Sequence, residues 1–593
     1  MTKILYINLF REIETVQVSS IIKENKENYY LDFHSKKNDN LDFTNIAIEA
    51  IPNFPSIYNE AVKQYTSFVA QLSTTNISKK HIRSFSVNNL PLFWLTRISE
   101  KHYFHWLMKV FLLKEIISSD KSFFKNYDQL FFVIPPQFED AKQVIQEIFY
   151  DYQANTEFII LNSSKIKRNS YLSLLKISIK TIVSFFNMKQ PQLTETQIPI
   201  VFLLSAKITK YTQEFFNNII AISKQEPKDV SQIPLYFWNN SKTTLAYKVP
   251  ILFWKSKPKT FSLIKIFYIH YKSLCSIKRI DPNEIIKINN ISLPATLLIK
   301  EFENVFINMN NSLIMSYWLC NYKKNLNHKV KFFYEDEFYP SGRALSFALR
   351  NTETYGVQHS NITKNHTVYH ISDLECKSST TENEDGMPLP FKFIVWGDYF
   401  KHKFLSHNSL PNNFVYSAGN STYIKRVLQK ERLLKKNETR GVLYCLSTPE
   451  FFFKEKNIIK DSLDNISNLK IRFHPLWKFD KNIVSNFFKN IDLTFSDEEN
   501  IFEDIKQSTL IITGSHSGVW LDAIVENKPV IRIETFFQDN IEQTGLMHLI
   551  NNYDDMKNII QKSLNNKSEI IDNELLYLKT NRWQELLLSE NDA

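Results

Sequence analysis

The chain has 593 residues, and 72 Lys or Arg residues against 62 Asp or Glu residues give it a formal net charge of +10. With 43% hydrophobic and 14% aromatic residues it can bury several cores, which excludes a largely disordered chain and favours two or more domains. Its four cysteines form no C-x-x-C pair, so they indicate neither a disulfide framework nor a zinc site and favour a reducing compartment.

The N-terminus lacks the long apolar stretch and the small-residue cleavage site of a signal peptide. The two most apolar windows, 172–186 and 261–277, are each interrupted by two lysines, so neither is expected to span a membrane. The sequence therefore predicts a cytoplasmic protein, free or held at the surface of the inner membrane.

In the first part of the chain, short β-rich runs alternate with longer helical patterns, which predicts α/β layers with parallel sheets. The predicted strands of this first set are 3–8, 129–134, 157–161, 198–204, 331–334, 355–358, 391–396 and 414–417. A polar connector, 425–440, precedes a second set, and its predicted strands are 441–446, 469–473, 509–512 and 530–533.

This pattern predicts two doubly wound, Rossmann-like domains joined near residue 430. We expect domains at 1–425 and 426–575, an insertion around 230–280 in the first, and a helical C-terminal tail at 576–593. In such sheets ligands bind beyond the carboxyl ends of the strands, so the residues that follow each strand are the candidate site residues.

Most of the net charge lies in one segment, since 231–280 contains no Asp or Glu and nine Lys or Arg residues. Within it, Phe261, Ile264, Phe267, Tyr271 and Leu274 recur at helical spacing. Two interpretations stay open: an amphipathic helix that binds an anionic bilayer, or a solvated basic face whose aromatic residues belong to the core. No motif typical of nucleic-acid binding is present.

The segment 509–531 is typical of a strand, a tight turn, a helix and a further strand. Gly514 suits the turn, Ser515-His516-Ser517 places hydroxyls beside the helix N-terminus, and Gly518 opens the helix. Such a turn predicts a phosphate-binding site. Serines that only cap the helix are the structural alternative.

One βα unit earlier, the strand 469–473 is followed by His474 and Pro475, with Arg472 near its end. We expect His474 to contact the phosphate or ribose of a nucleotide and Pro475 to fix the turn. Ser447 and Thr448 follow the first strand of this domain at the same edge. Together with the Ser/Gly turn, these residues predict a nucleotide site in the second domain.

In the first domain, the strand 331–334 ends in three consecutive acids, Glu335, Asp336 and Glu337, and His359 follows the next strand. Adjacent carboxylates repel one another, which raises the pKa of at least one of them in an enclosed site. Acid/base or nucleophilic catalysis uses such groups. An exposed acidic turn is the structural alternative.

Several segments resemble a known family. The His-Pro and Ser-x-Ser motifs are similar to those that hold cytidine monophosphate in two-Rossmann, GT-B-type glycosyltransferases that use CMP-sugars. The order of further segments resembles bacterial surface carbohydrate biosynthesis proteins related to retaining β-Kdo transferases. These segments are 92–101, Glu335, Arg343-Ala344-Leu345, 356–360, 387–390 and 395–398.

The resemblance implies a metal-independent glycosyltransferase without a cofactor, which moves Kdo or a related 3-deoxy-ulosonic or nonulosonic acid from its CMP derivative to a surface glycan, such as the lipopolysaccharide O-antigen or capsule. It implies a carboxylate nucleophile. Glu335 is our choice for a catalytic carboxylate, with Asp336 or Glu337 as its partner and His359 as a proton carrier or a contact to the sugar carboxylate. Asp373 and Asp398 stay open as nucleophiles, and Glu100 is a candidate contact to the glycan or lipid-linked acceptor.

One departure from the family pattern and two alternative functions stay open. Residues 338–342 differ from that pattern, which leaves the acceptor undecided, and Glu384-Asp385-Gly386 is similar to a base motif of some sialyltransferases. The first alternative is a transferase of the same fold that uses a UDP-sugar, a GDP-sugar or CDP-glycerol. The second is a non-catalytic protein that docks assembly machinery at the membrane.

Overall fold

The computed structural model describes most of the chain, with gaps. The described residues are 2–10, 26–32, 44–45, 53–97, 105–120, 124–149, 156–161, 200–204, 218–219, 235–239, 260–289, 291–309, 312–313, 316–317, 319–320, 331–335, 338–363, 366–380, 384–430, 441–446, 459, 462–463, 468–474, 480–489, 491–498, 500–514, 517–533, 547–550, 556–560 and 582–588.

Strands and helices alternate along the chain, as the apolar pattern predicts. The strands are β1 (Lys3–Asn8), β2 (Glu27–Asp32), β3 (Thr44–Asn45), β4 (Asn76–Ile77), β5 (Lys80–His81), β6 (Ser86–Val87), β7 (Leu90–Pro91), β8 (Gln129–Ile134), β9 (Thr156–Ile160), β10 (Ile200–Leu204), β11 (Leu235–Asn239), β12 (Ile285–Ile288), β13 (Ile291–Pro294), β14 (Lys331–Tyr334), β15 (Glu353–Val357), β16 (Lys392–Val395), β17 (Val415–Ser417), β18 (Val442–Cys445), β19 (Leu469–Arg472), β20 (Leu493–Phe495), β21 (Leu510–Gly514), β22 (Val530–Ile533) and β23 (Met547–Ile550). The helices are α1 (Phe54–Leu72), α2 (Leu92–Thr96), α3 (His105–Ser119), α4 (Ala141–Ile148), α5 (Thr260–Ile277), α6 (Ala295–Asn308), α7 (Pro340–Ala348), α8 (Asp373–Cys376), α9 (Asp398–Leu405), α10 (Ser421–Lys430), α11 (Lys481–Phe487), α12 (Ile501–Lys506), α13 (Val519–Val525) and α14 (Trp583–Leu588).

Three large sheets organise the described residues. Sheet I has the order β3-β2-β1-β8-β9, sheet II the order β11-β10-β14-β15-β16-β17, and sheet III the order β20-β19-β18-β21-β22-β23. Every neighbouring pair within these sheets is parallel. The predicted class, α/β with two Rossmann-like domains, is confirmed, and sheets II and III are those two units.

Sheet I was not separated from sheet II by the sequence pattern, which treats 1–425 as one unit. Which strands pair is decided by long-range contacts, whereas the apolar runs that predict strands are local. The predicted insertion around 230–280 also differs in part, because Leu235–Asn239 is the edge strand of sheet II and pairs with Ile200–Leu204.

The central strands are buried on both faces, as parallel strands covered by helices must be. In β14 and β22, every residue is buried. A large apolar core extends over the units of sheets I and II and reaches into sheet III, while a second core lies within sheet III.

The predicted C-terminal tail includes the helix α14, which packs against sheet II. Trp583 lies 6.3 Å from the ring of Phe333 and donates its indole N–H to the carbonyl oxygen of Gly419 at 3.0 Å. The ammonium group of Lys331 donates to the carbonyl oxygen of Leu586 at 3.0 Å. The end of the chain therefore covers sheet II.

Helix α5 confirms the helix predicted within the basic segment. Two of its aromatic side chains are outside the core, since Tyr268 is 61% and Tyr271 is 54% exposed. Ser273, on the opposite side, is buried and donates to the carbonyl oxygen of Ser86 at 2.7 Å. Attachment of this helix to a membrane surface stays a prediction.

Candidate functional site

Two of the predicted sites lie at topological switch points. In sheet III the chain starts at β18, builds outward through β19 and β20, and then returns to the other side of β18 with β21. In sheet II it starts at β10, adds β11 on one side, and continues with β14 on the other. Such reversals leave a crevice at the carboxyl ends of the strands, which is where open α/β sheets bind ligands.

At the switch point of sheet III, the predicted strand, turn and helix are confirmed. Gly514 is the buried last residue of β21, and its carbonyl oxygen accepts the N–H of Ser517 at 3.1 Å. The hydroxyl of Ser517 accepts the N–H of Val519, the first residue of α13, at 3.3 Å, and Gly518 is the N-cap of that helix. Ser515 and His516 lie outside the described residues.

Gly518 has open surroundings at this turn. Its φ is −78°, a value that any residue adopts, so the backbone does not require glycine here. A Cβ built at this position would meet no atom of the described residues within 4 Å. By contrast, a Cβ at Gly386 would meet the carbonyl oxygen of Cys376 at 2.3 Å. The space beside Gly518 is therefore free for a ligand that approaches the main chain.

Arg472, the last residue of β19, and His474, which follows this strand, have different surroundings. The guanidinium of Arg472 pairs with buried Asp504 and donates to the carbonyl oxygen of Glu498 at 2.8 Å, so the structure places it in a network that joins β19 to α12. His474 is partly buried beyond the strand end, and burial lowers the pKa of its imidazole below 6.5. Burial therefore favours the neutral form of this imidazole. Pro475, Ser447 and Thr448 lie outside the described residues.

Sequence reasoning missed several polar groups beneath the turn. Thr513 and Trp520 are fully buried, and neither the hydroxyl of Thr513 nor the indole N–H of Trp520 has a partner among the described residues. Buried polar groups are nearly always hydrogen-bonded, so such atoms indicate a missing water or ligand. Neither residue carries a motif, because Thr and Trp occur in strands and helices for packing reasons alone.

Asp522, on α13, is a second residue that the sequence did not reveal. Burial raises the pKa of its carboxyl from 3.8 to about 7, although a hydrogen bond from Tyr423 and the charge of Arg426 oppose that rise. Arg426 also lies 3.9 Å from the carboxylate of Glu526. Because Tyr423 and Arg426 belong to α10, Asp522 lies where α10 meets α13.

At the switch point of sheet II, Glu335 follows β14 directly and is partly buried. Asp336 and Glu337 lie outside the described residues. His359 follows the neighbouring strand β15, and its ring centroid is 5.5 Å from that of Tyr339, four residues after Glu335. The hydroxyl of Tyr339 and Nε2 of His366 are 2.9 Å apart. The structure thus brings two predicted site residues to adjacent strand ends.

The imidazole of His366 is held in its neutral form at this edge. Burial, and then the charge of His359, lower the pKa of His366 from 6.5 to about 4. His366 is therefore neutral at pH 7 and can exchange one hydrogen bond with Tyr339. A tyrosine hydroxyl bonded to a neutral imidazole is suited to hold or pass a proton.

Gln358 and Asn361 flank His359 and differ in their partners. Gln358 is buried and locks the ends of two strands, since its side-chain oxygen accepts the N–H of Trp396 at 3.0 Å and its carbonyl oxygen accepts the indole N–H of Trp396 at 2.8 Å. Asn361 is only 8% exposed, and its side-chain oxygen and nitrogen have no partner among the described residues. Its unpartnered amide marks this edge as incomplete without a bound polar group.

The other acidic candidates are placed as follows. Asp398 is the partly buried first residue of α9, and Asp373 is exposed in the first turn of α8. Asp385 accepts the N–H of Ser379 at 2.7 Å, and its carbonyl oxygen accepts the indole N–H of Trp94 at 2.8 Å, so it holds a loop in place. Glu384 is exposed, and Glu100 lies outside the described residues.

No group of three or more His, Cys, Asp or Glu side chains in the described ranges of the chain could hold a metal ion. Within the same ranges, no helix is both long and apolar enough to cross a bilayer. Metal independence of the reaction stays a prediction.

Comparisons with known proteins return structural similarity of a low degree. No family model matches the chain, and no curated protein matches it significantly. Among solved structures, UDP-GlcNAc 2-epimerase from Neisseria meningitidis bound to UDP-GlcNAc is 11% identical, with a TM-score of 0.36 over 66% of this chain and 98% of that one. A variant of the wall teichoic acid polymerase TagF with CDPG is 9% identical, with a TM-score of 0.34 over 71% of this chain and 97% of that one. A variant of Os79 from O. sativa in complex with UDP is 9% identical, with a TM-score of 0.36 over 65% of this chain and 94% of that one. Similarity of this degree assigns no activity to the chain.

Proposed function

We propose that the chain is a GT-B-type glycosyltransferase that moves Kdo, or a related 3-deoxy-ulosonic or nonulosonic acid, from its CMP derivative to a cell-surface glycan. One observation carries the proposal: the switch points of two parallel sheets hold complementary groups. The edge of sheet III has an open glycine turn and the neutral His474, whereas the edge of sheet II has Glu335, His359 and Tyr339.

The turn at Gly518 and His474 would hold the cytidine monophosphate. A phosphate that lies against main-chain N–H groups needs close approach to the backbone, and the empty space beside Gly518 permits it. The neutral ring of His474 donates one hydrogen bond without adding a charge. Arg472 contributes indirectly, because its pairing with Asp504 fixes the end of β19.

The chemistry would take place at the edge of sheet II. In the first step a carboxylate, for which Glu335 is our choice, attacks the anomeric carbon, the bond from that carbon to the phosphate oxygen breaks, and CMP leaves. In the second step the acceptor hydroxyl attacks the same carbon, the bond to the carboxylate breaks, and His359 takes the hydroxyl proton. Two inversions retain the configuration of the sugar.

A thermal-shift panel with CMP, UDP, GDP and CDP-glycerol tests the donor. We expect CMP to raise the melting temperature most, and we expect His474→Ala to reduce that rise. A larger rise with UDP or CDP-glycerol would show that the donor is of another class. Failure of every nucleotide to bind would favour a non-catalytic docking protein. Turnover of CMP-Kdo is expected to survive EDTA, and its loss would contradict metal independence.

A further inference from the structure

Three arginines with almost no exposed surface lie where the units of sheets I and II meet. They are Arg83, Arg97 and Arg343, with exposures of 2%, 0% and 0%. Arginine is almost never fully buried unless its charge is paired, because removing a cation from water is costly. The hydrogen-bond partners of each guanidinium therefore show which of its nitrogens are satisfied within the protein.

In Arg83 and Arg97, the Nε–Nη2 edge of the guanidinium donates hydrogen bonds to other residues of the chain. All three nitrogens of Arg83 donate to protein oxygens, among them the carbonyl oxygen of Ser73 at 2.8 Å and that of Leu374 at 2.5 Å. Arg97 grips Glu375 with Nε and Nη2 together, and its Nη2–Oε2 distance is 2.9 Å. This is the bidentate geometry that suits a carboxylate.

Arg343 differs, since only one of its nitrogens is used. Its Nη1 donates to the carbonyl oxygens of Trp94 and Arg97 at 2.6 and 2.7 Å. Its Nε and Nη2, the same edge with which Arg97 holds Glu375, have no hydrogen-bond partner among the described residues. Glu375 accepts from Arg97 and from the N–H of Ser372, and it makes no hydrogen bond to that edge, although its charge opposes the fall in the pKa of Arg343.

The surroundings hold this empty edge in a fixed orientation. Two carbonyl oxygens from α2 and its C-terminus anchor one end of the guanidinium, and the first turn of α7 carries the other, with the N–H of Arg343 donating to the carbonyl oxygen of Tyr339 at 2.9 Å. Burial, and then the charge of Arg97, lower the pKa of Arg343 well below 12.5. An anion placed against the edge would relieve both effects.

We propose that the Nε–Nη2 edge of Arg343 binds the carboxylate of the transferred sugar. Arg343 lies one helical turn after Tyr339, whose ring contacts His359, so it belongs to the sheet II edge that carries the reacting groups. In a 3-deoxy-ulosonic or nonulosonic acid the carboxylate is bonded directly to the anomeric carbon. A residue that fixes this carboxylate therefore also positions the atom at which substitution occurs.

This inference rests on the proposed function and makes it more specific, because it explains how an acidic sugar is selected over a neutral one. Loss of two charge-assisted hydrogen bonds is expected to weaken binding of the acidic donor by about 10- to 100-fold. Since Arg343 has no exposed surface, the donor reaches it only when the covering groups move, and association is expected to be slow.

Calorimetry with two donors and three proteins tests the inference. The donors are CMP-Kdo and an analogue in which a carboxamide replaces the carboxylate, and the proteins are the wild type, Arg343→Met and the matched control Arg83→Met. We expect the wild type to prefer the acid by about 10- to 100-fold and Arg343→Met to bind both donors alike. Arg83→Met is expected to keep the preference, since its edge is filled by the chain.

The outcomes separate the inference from the proposed function. If CMP-Kdo binds and the wild type does not distinguish acid from amide, the carboxylate site is wrong while the donor class stands. If neither donor nor CMP binds, the proposed function itself fails. Equal competition by inorganic phosphate would show an unselective anion site and overturn the inference. A change in Arg343→Met that is confined to the KM for the acceptor would also overturn the inference.

A stability readout covers the case in which a variant fails to fold. Arg343→Met removes two side-chain hydrogen bonds and Arg83→Met removes four, so the melting temperature of Arg343→Met is expected to stay closer to the wild type. If Arg343→Met does not fold, Arg343→Lys replaces it, because this variant keeps the charge and loses the bidentate edge. The acid-against-amide comparison in the wild type tests whether a carboxylate site exists, and the Arg343→Lys comparison tests whether Arg343 provides it.

Discussion

The switch-point edges of sheets II and III present different kinds of chemical groups. The edge of sheet III presents main chain, with a tight turn at Gly514 and open space beside Gly518. The edge of sheet II presents side chains, among them Glu335, His359 and the unpartnered amide of Asn361. Main chain recognises a group common to all nucleotides, whereas titratable side chains do chemistry. Under the proposed function, one edge would bind the donor's phosphate and the other would carry the reacting groups.

Removing the carboxylate of Glu335 is expected to have the largest effect, and it tests whether catalysis at sheet II is separate from CMP binding at sheet III. We expect Glu335→Gln to lower kcat by about 10³-fold, because the amide can neither attack carbon nor carry a proton. The Kd for CMP, held at sheet III, is expected to stay within about twofold, as judged by calorimetry on the same preparation. A matching loss of CMP affinity would show that the two edges are not separate.

The complementary change is Gly518→Val. The φ of −78° and the empty space at this position predict a folded variant with nearly unchanged melting temperature. We expect its CMP affinity to fall by about tenfold or more, because the side chain occupies the space needed by the phosphate. Gly386→Ala is the control, since its Cβ would clash with Cys376, and it is expected to lower the melting temperature without changing nucleotide affinity in the folded fraction. Undiminished CMP binding by Gly518→Val would remove the turn from the site.

A smaller effect is expected from the titration of Asp522. Its pKa of about 7 in the folded chain exceeds its ordinary 3.8, so between about pH 4 and pH 7 the folded state keeps a proton that the unfolded state has lost. Stability therefore falls as the pH rises through this window and is flat above it. Urea unfolding at pH 5 and pH 8 is expected to show a smaller difference for Asp522→Asn than for the wild type. Equal differences in both proteins would contradict the raised pKa.

The sequence predicted the central strands well because buried parallel strands are continuous apolar runs. Lys3–Asn8, Gln129–Ile134, Lys331–Tyr334 and Val530–Ile533 were predicted to the residue. The separation of sheets I and II was not predictable in this way, since strand pairing depends on contacts between distant segments.

The positions of Glu335, His359 and His474 beyond the ends of strands were predictable from the sequence, and their roles stay predictions. Site residues were not predictable where burial creates the chemistry. Arg343 belongs to a segment that carries the family resemblance, but only the fold shows that one edge of its guanidinium has no hydrogen-bond partner among the described residues. Arg472 shows the reverse case, because its place at a strand end predicted a nucleotide contact, whereas its guanidinium is paired with Asp504.

The location of a trapped sugar tests the division between the two edges most directly. The chain would be incubated with CMP-Kdo without acceptor, and intact mass followed by peptide mapping would locate any covalent adduct. We predict a gain of one sugar residue on a carboxylate of the sheet II unit, within 331–405, with Glu335 as the expected position and CMP released. An adduct within the sheet III unit, or turnover that leaves no adduct, would contradict the account.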